Sequence, residues 1–105
     1  MLVVTRPCKR ELDDFPEEVK GDLADAIARL EIGLMLTMPL SRPMPSIGQG
    51  VHELRLNHRS GTYRVFYVLR SGAIYLIGAF KKTGQRTPQR VLERMRERFR
   101  REVKL

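Results

Sequence analysis

The sequence predicts a single α+β domain spanning residues 1–105. In this fold an N-terminal strand and helical region precede a three-stranded antiparallel meander and a basic C-terminal helix. Three strand-like runs joined by short turns fill most of Val51–Lys82. On either side of this stretch, apolar residues recur three and four positions apart, the spacing of a helix with one buried face. A length of 105 residues fits one domain with a modest core.

The meander is the most regular part of the sequence. Its first run, Val51–Leu56, alternates apolar with polar residues, as a strand with one buried face does. The second run, Thr62–Leu69, is rich in the β-branched and aromatic residues that favour strands. The third, Ala73–Phe80, is almost wholly apolar, which predicts burial on both faces at the centre of the sheet. Turn formers at 57–61 and 70–72 make consecutive strands antiparallel.

The N-terminal half is predicted to hold one strand and two helical segments. Leu2–Thr5 is predicted as a short strand and Lys9–Asp14 as a helical turn. A longer helix begins near Pro16, where acidic residues suit the helix dipole, and Gly21 allows a kink in it. The apolar residues of this helix are Val19, Leu23, Ala26, Ile27, Leu30 and Leu34. Segment 37–50 holds three prolines and two glycines, so we expect no regular structure there.

The last helix is predicted over Gln89–Val103, with Thr87 as its N-cap and Pro88 in its first turn. One face is apolar and is expected to dock on the core. The other faces carry Arg90, Arg94, Arg96, Arg98, Arg100 and Arg101. The apolar face does not explain so many arginines, which indicates contact with phosphate or with an acidic partner.

The positive charge lies almost wholly in the second half of the chain. The net charge is +8; residues 1–52 hold 6 basic and 8 acidic residues, and residues 53–105 hold 14 basic and 4 acidic residues. Such a cationic surface attracts nucleic acid, an acidic protein or anionic lipid. We favour nucleic acid, because the cations lie on a strand-rich core and not on an amphipathic helix of the membrane type.

Several classes of site and location are not expected. One cysteine, Cys8, permits neither an internal disulfide nor a cysteine metal site. The histidines His52 and His58 have no ligand-like companions, so we expect no metal and no cofactor. No apolar run reaches the roughly 18 residues of a membrane span, and the N-terminus lacks a secretory signal. A cytoplasmic protein without membrane contact is the resulting expectation.

The meander also concentrates the residues best suited to chemistry. If the strands pair as predicted, Arg55, Arg64 and the pair Lys81–Lys82 converge on one end or face of the sheet. Arg64 lies inside an apolar run, where a charge needs a partner or a ligand. Glu53 on the neighbouring strand is a possible internal partner. The alternative is that the cations only keep an edge soluble.

Such cations, together with tyrosines, suit an RNA phosphodiester. RNA carries its own nucleophile, the 2′-OH, so a protein need only orient it, remove its proton and stabilise the pentavalent phosphate. No metal is required. Arg64 is the best candidate for the stabilising cation, because a guanidinium binds phosphate through two parallel hydrogen bonds.

Five short motifs give the chain a family resemblance. They are Arg42–Gly50, Val51–Arg55, Thr62–Tyr67, Ala79–Lys82 and Thr87–Arg90. With this order of elements, the chain resembles the RelE/ParE toxin superfamily, and most closely its HigB-like, phage-derived branch. The resemblance covers nearly the whole chain and implies a RelE-like fold.

The resemblance implies a small toxin that cleaves mRNA on the translating ribosome. It also implies neutralisation by a helix-turn-helix antitoxin, in a toxin–antitoxin hetero-oligomer. By matched position, Arg64 is similar to the family's phosphate-binding arginine, Arg55 to a basic residue one strand earlier, and Lys81–Lys82 to the closing basic pair. These four residues are the candidate catalytic set. Further contacts with RNA are expected from Arg59, His58, Tyr67, Arg86 and Arg90.

One departure from the family pattern leaves two questions open. Enzymes of the RelE type often place a tyrosine or histidine near the C-terminal helix, and no such residue follows Tyr75 here. The general base therefore remains open among Lys82, Lys81, His58 and Tyr67. A toxin of the ParE type, which inhibits DNA gyrase by binding and without catalysis, remains the alternative function.

Overall fold

The computed structural model describes residues 1–84 and 86–103 and confirms the α+β class. Its three helices and five strands follow in chain order: β1 (Leu2–Val4), α1 (Arg6–Asp13), α2 (Glu17–Glu31), β2 (Ser41–Pro43), β3 (Val51–His58), β4 (Gly61–Arg70), β5 (Ala73–Lys82) and α3 (Gln89–Glu102). Among the described residues, no helix has the length and apolar character needed to cross a membrane.

The strands form one sheet in the order β1-β5-β4-β3-β2. The predicted meander, β3 to β5, is antiparallel throughout, and β1 joins β5 in parallel. The central strand is therefore β4, whereas β5, predicted at the centre, is the second strand from one edge. Two-residue turns connect the meander; Ser71 and Gly72, both at positive φ, make the turn between β4 and β5.

Each face of the sheet is covered by a different helical layer, because successive side chains on a strand point to opposite sides. On β4, Tyr63, Val65 and Tyr67 pack with the layer of α1 and α2. Phe66 and Val68 pack instead with the apolar side of α3. At Gly78 on β5, any Cβ would collide with the Met95 side chain, so this glycine lets α3 lie directly on the strand.

Segment 37–50 is the main correction to the sequence prediction. Residues Ser41–Pro43 form β2 and pair antiparallel with β3, with Arg42 directly opposite Glu53. Prolines are tolerated because β2 is an edge strand, which needs to offer hydrogen bonds on one side only. The prediction of a segment without regular structure was therefore wrong for these three residues.

The helix boundaries differ from the predicted ones in three places. The first helix is longer than one turn; it starts at Arg6, and the Thr5 hydroxyl accepts a hydrogen bond from the Cys8 amide. The second is unbroken over Glu17–Glu31, so Leu34 lies beyond it and is 51% exposed. Before α3, Pro88 and not Thr87 holds the N-cap position.

Candidate nucleic-acid interface

The register of the meander brings three predicted cations to one face. Arg55 lies directly opposite Arg64, and Arg64 lies opposite Phe80. Two residues before Arg64, Thr62 lies opposite Lys82. Side chains of directly paired residues share a face of the sheet. Arg55, Arg64 and Lys82 therefore lie together, on the face that also carries α3.

A buried carboxylate, Glu53, sits at the base of this cationic cluster and is fully shielded from solvent. Its Oε1 accepts a hydrogen bond from Arg42 Nη2 at 3.1 Å, and its Oε2 accepts one from the Thr87 hydroxyl at 3.1 Å. Arg64 Nη1 lies 3.9 Å from Oε1. Through these hydrogen bonds, Glu53 links the cluster to β2 and to Thr87, which lies two residues before α3. Counting Arg42, Arg55, Arg64 and Lys82 against this one carboxylate leaves a net positive site.

Arg64 is a buried cation whose hydrogen bonding within the described part of the chain is incomplete. The residue is 3% exposed and lies beside Glu53, the internal partner considered in the sequence analysis. Among the described residues, its Nε and Nη1 have no hydrogen-bond partner. Burial is the main cause that lowers its pKa; the Glu53 charge opposes this shift, and the charges of Arg55 and Arg42 add to it. A buried N–H group without a partner is costly, and because both atoms are themselves shielded from solvent, an anion reaches them only if neighbouring side chains move.

Lys82 is the cluster's best group for moving a proton. Burial lowers its pKa from the usual 10.5, and the positive charge of Arg64 lowers it further. The neutral amine is therefore more accessible than in an isolated lysine. A lysine with a lowered pKa acts as a base more readily near neutral pH.

Lys81 does not join the cluster, which corrects the expectation that both lysines converge with Arg64. It pairs with Tyr63, on the face that packs with α1 and α2, and its Nζ lies 5.8 Å from the centre of the Tyr63 ring. The reason is the alternation of side chains along β5. Only one lysine of an adjacent pair can face Arg64.

Three predicted RNA contacts also lie away from Arg64. His58 Nε2 is 3.1 Å from Glu18 Oε1, and Arg59 forms an exposed ion pair with the same carboxylate at 3.3 Å. The Tyr67 hydroxyl lies 2.6 Å from the Ser41 hydroxyl, on the α1 and α2 face. Burial raises the Tyr67 pKa, which disfavours a role as a base. Their contact with RNA stays a prediction.

Three further arginines from the sequence analysis, Arg86, Arg90 and Arg98, divide into two groups. Arg86 and Arg90 are exposed and flank Thr87, whose hydroxyl reaches the cluster through Glu53. Arg98, assigned from the sequence to a solvated or phosphate-binding face, is instead 7% exposed and paired with Glu11 at 2.8 Å. It belongs to the packing of α3 on α1 and β5.

Arg42 is the cluster residue that the sequence analysis missed as a candidate. It lies within a proline-rich motif that was expected to be irregular, so nothing placed it beside Glu53. The residue is partly exposed, although its Nε is buried without a partner among the described residues. Over residues 1–84 and 86–103, no three His, Cys, Asp or Glu side chains lie together as metal ligands.

Comparison with known proteins places this fold in a family. Residues 10–100 match the family described as phage-derived protein Gp49-like. The isolated Escherichia coli RelE toxin aligns with a TM-score of 0.58 at 15% identity, over 90% of this chain and 97% of that one. A copper-bound mutant toxin from Helicobacter pylori aligns with a TM-score of 0.59 at 13% identity, over 76% and 91%.

The RelE toxin is also similar in its complex with antitoxin. The E. coli RelBE toxin–antitoxin complex aligns with a TM-score of 0.52 at 14% identity, over 80% of this chain and 98% of that one. A search of curated protein sequences finds no match. At these identities the solved structures show the fold, and the family match covers most of the chain. The chain belongs to the family described as phage-derived protein Gp49-like, and it shares the fold of the E. coli RelE toxin.

Proposed function

We propose that the protein is a ribosome-dependent, metal-independent endoribonuclease that cleaves mRNA. The observation that carries this proposal is the convergence of Arg42, Arg55, Arg64 and Lys82 around the one buried carboxylate of Glu53. A phosphodiester offsets the excess positive charge, since its charged oxygens bind a guanidinium through strong, paired hydrogen bonds.

The reaction proceeds by internal transfer within the RNA. The 2′-OH of one nucleotide loses its proton and attacks the adjacent phosphorus, and the bond from phosphorus to the 5′-oxygen breaks. The products are a 2′,3′-cyclic phosphate and a 5′-OH. Arg64 stabilises the charge that develops on the equatorial oxygens, an effect typically worth roughly 10²–10³ in rate for one such donor.

Lys82 is our choice of general base among the four candidates. It is the one of the four that shares a face with Arg64, whereas Lys81, His58 and Tyr67 lie towards the α1 and α2 layer. Its lowered pKa favours the neutral amine that must accept the 2′-OH proton. Once protonated, the same amine can return a proton to the departing 5′-oxygen.

An antitoxin is the partner implied by this assignment. The similar E. coli RelE toxin has been solved in complex with its antitoxin. We propose that this chain is neutralised in the same way by a helix-turn-helix antitoxin encoded beside it, in a hetero-oligomer that forms in the cytoplasm. Co-expression with the adjacent gene should restore growth and allow the two proteins to be isolated together.

The decisive experiment maps RNA ends in cells after induction of the toxin. Primer extension should reveal new 5′ ends within codons of translated messages, and these should vanish with Arg64→Ala. Cleavage on programmed ribosomes should survive enough EDTA to remove free metal while the ribosomes stay assembled. Growth arrest with a DNA-damage response but without new mRNA ends would instead indicate gyrase inhibition and overturn the proposal.

A further inference from the structure

An aromatic ring stands beside the cationic cluster and has no part in the proposed chemistry. Phe80 is directly opposite Arg64 across β4 and β5 and is two residues from Lys82 on the same strand. All three side chains therefore share one face of the sheet. Phe80 is partly exposed, unlike most of its strand.

The ring is held from the core side by a second aromatic residue. Phe66 is fully buried, and its ring lies 5.9 Å from that of Phe80, with an angle of 9° between the planes. The two rings are thus nearly parallel, which restricts the orientation of Phe80. A flat apolar surface held beside a cluster of cations is the arrangement that binds an unstacked base next to its phosphate.

We propose that Phe80 is a stacking platform for a base adjacent to the phosphate held by Arg64. This inference rests on the proposed function and specifies its substrate as single-stranded RNA with a base turned out of its stack. Every base has a π-face, so the platform tolerates any sequence at that position. The cations alone would bind the phosphate backbone of a duplex and of a single strand alike. The ring of Phe80 favours the single strand, because its bases are free to stack on an aromatic side chain.

A fluorescence experiment tests the contact directly, because the chain has no tryptophan. Phe80→Trp makes the platform itself the reporter. A short single-stranded RNA with 2′-O-methyl riboses is bound without being cleaved and should quench the tryptophan. The same backbone made without bases should bind through phosphate and leave the emission unchanged. Binding is followed independently by the anisotropy of a dye on the oligonucleotide.

Tyr75→Trp is the matched control. Tyr75 lies on the same strand and packs against the same α3 core, but it pairs with Val68, away from Arg64. Its emission should not respond to either oligonucleotide. Equal quenching by the oligonucleotide without bases, or binding with no quenching at Phe80→Trp, would overturn the stacking proposal.

Kinetics on programmed ribosomes give a second test. Phe80→Leu should lower kcat/KM by roughly 5- to 150-fold, the range for loss of one stacked base, whereas Phe80→Tyr should keep most of the activity. Tyr75→Leu should not lower kcat/KM once the folded fraction is matched. If Arg64→Ala abolishes cleavage but Phe80→Leu cleaves like the wild type, the proposal of base stacking on Phe80 is wrong and the proposed endoribonuclease function is retained. If Arg64→Ala has no effect on cleavage, the proposed function itself fails.

Discussion

Two arginines are buried to a similar extent and have very different surroundings. Arg98 is 7% exposed and Arg64 is 3% exposed. Arg98 donates to both oxygens of Glu11, at 2.8 Å and 3.0 Å, and to the Ile77 carbonyl at 3.0 Å. Arg64 Nη1 stays 3.9 Å from Glu53, and its Nε and Nη1 have no hydrogen-bond partner among the described residues.

The difference separates an arginine with a full set of structural partners from one that we propose binds phosphate. Around Arg98, a bulge in β5 leaves Ile77 outside the register with β4, and the arginine satisfies its carbonyl. Glu11 in turn accepts from the Ala79 amide, so the pair links α1, β5 and α3. Around Arg64, the carboxylate is already engaged by Arg42 and Thr87. Similar burial therefore does not mean that two arginines have similar hydrogen-bond partners.

The largest expected effect is on stability at Arg98. Arg98→Ala leaves the partly buried Glu11 without its cation and the Ile77 carbonyl without this donor, so the free energy of unfolding should fall by about 3–5 kcal/mol. Specific cleavage, corrected for the folded fraction, should change little. Urea unfolding monitored by circular dichroism measures the first, and a ribosome assay on the same preparation measures the second. Stability like that of the wild type would show that the pair does not hold α3.

Arg64→Ala should show the opposite pattern. Cleavage should fall by roughly 10²–10³, the loss typical of one electrostatic stabiliser. Stability should fall by less than for Arg98→Ala, since Glu53 keeps Arg42 and Thr87, and repulsion from Arg55 is relieved. The same urea and ribosome assays apply. A folded Arg64→Ala with full activity would remove Arg64 from the mechanism.

The sequence marked Arg64 as unusual more clearly than it marked Arg98. A charge inside an apolar strand run is a local signal, visible at Arg64 without any structure. Arg98 had a weaker signal: it lies seven residues after the buried Val91, so it falls on the apolar side of α3. Its partner Glu11 is 87 positions away, and no periodicity connects the two residues.

Strand alternation shows where sequence reasoning stopped within the site. The sequence located the lysine pair but not which lysine faces Arg64, because a one-residue change of register exchanges the two faces. The bulge at Ile77 in β5, opposite the step from Phe66 to Tyr67, makes such a change, and no residue pattern in the sequence predicts it. Likewise, only the pairing of β2 with β3 shows that Arg42 lies beside Glu53. The spacing of apolar residues was enough to predict most helices and strands. Which side chains meet at the site depends on which residues pair across neighbouring strands.

The pH dependence of cleavage tests whether Arg64, but not Arg98, influences the pKa of Lys82. If neutral Lys82 is the base, the rate should rise about tenfold per pH unit below its pKa and then level off. Arg64 is one of the charges that lower this pKa, after burial itself. Arg64→Ala should therefore move the plateau to higher pH, while Arg98→Met should leave it in place. A profile that is flat in the wild type and in both variants would exclude Lys82 as the base.

The smallest expected effect is on the salt dependence of binding, and it distinguishes the two arginines without catalysis. For about five phosphate contacts, log K for a 2′-O-methylated single strand should fall with log salt at a slope of about −3.5. Arg64→Ala should reduce the steepness by about 0.7, the contribution of one phosphate on a single strand. Arg98→Met should leave the slope unchanged, because its charge is already neutralised by Glu11. Fluorescence anisotropy across a salt series measures all three slopes. Equal slopes for the wild type and Arg64→Ala would mean that the unpaired N–H groups of Arg64 do not bind RNA phosphate.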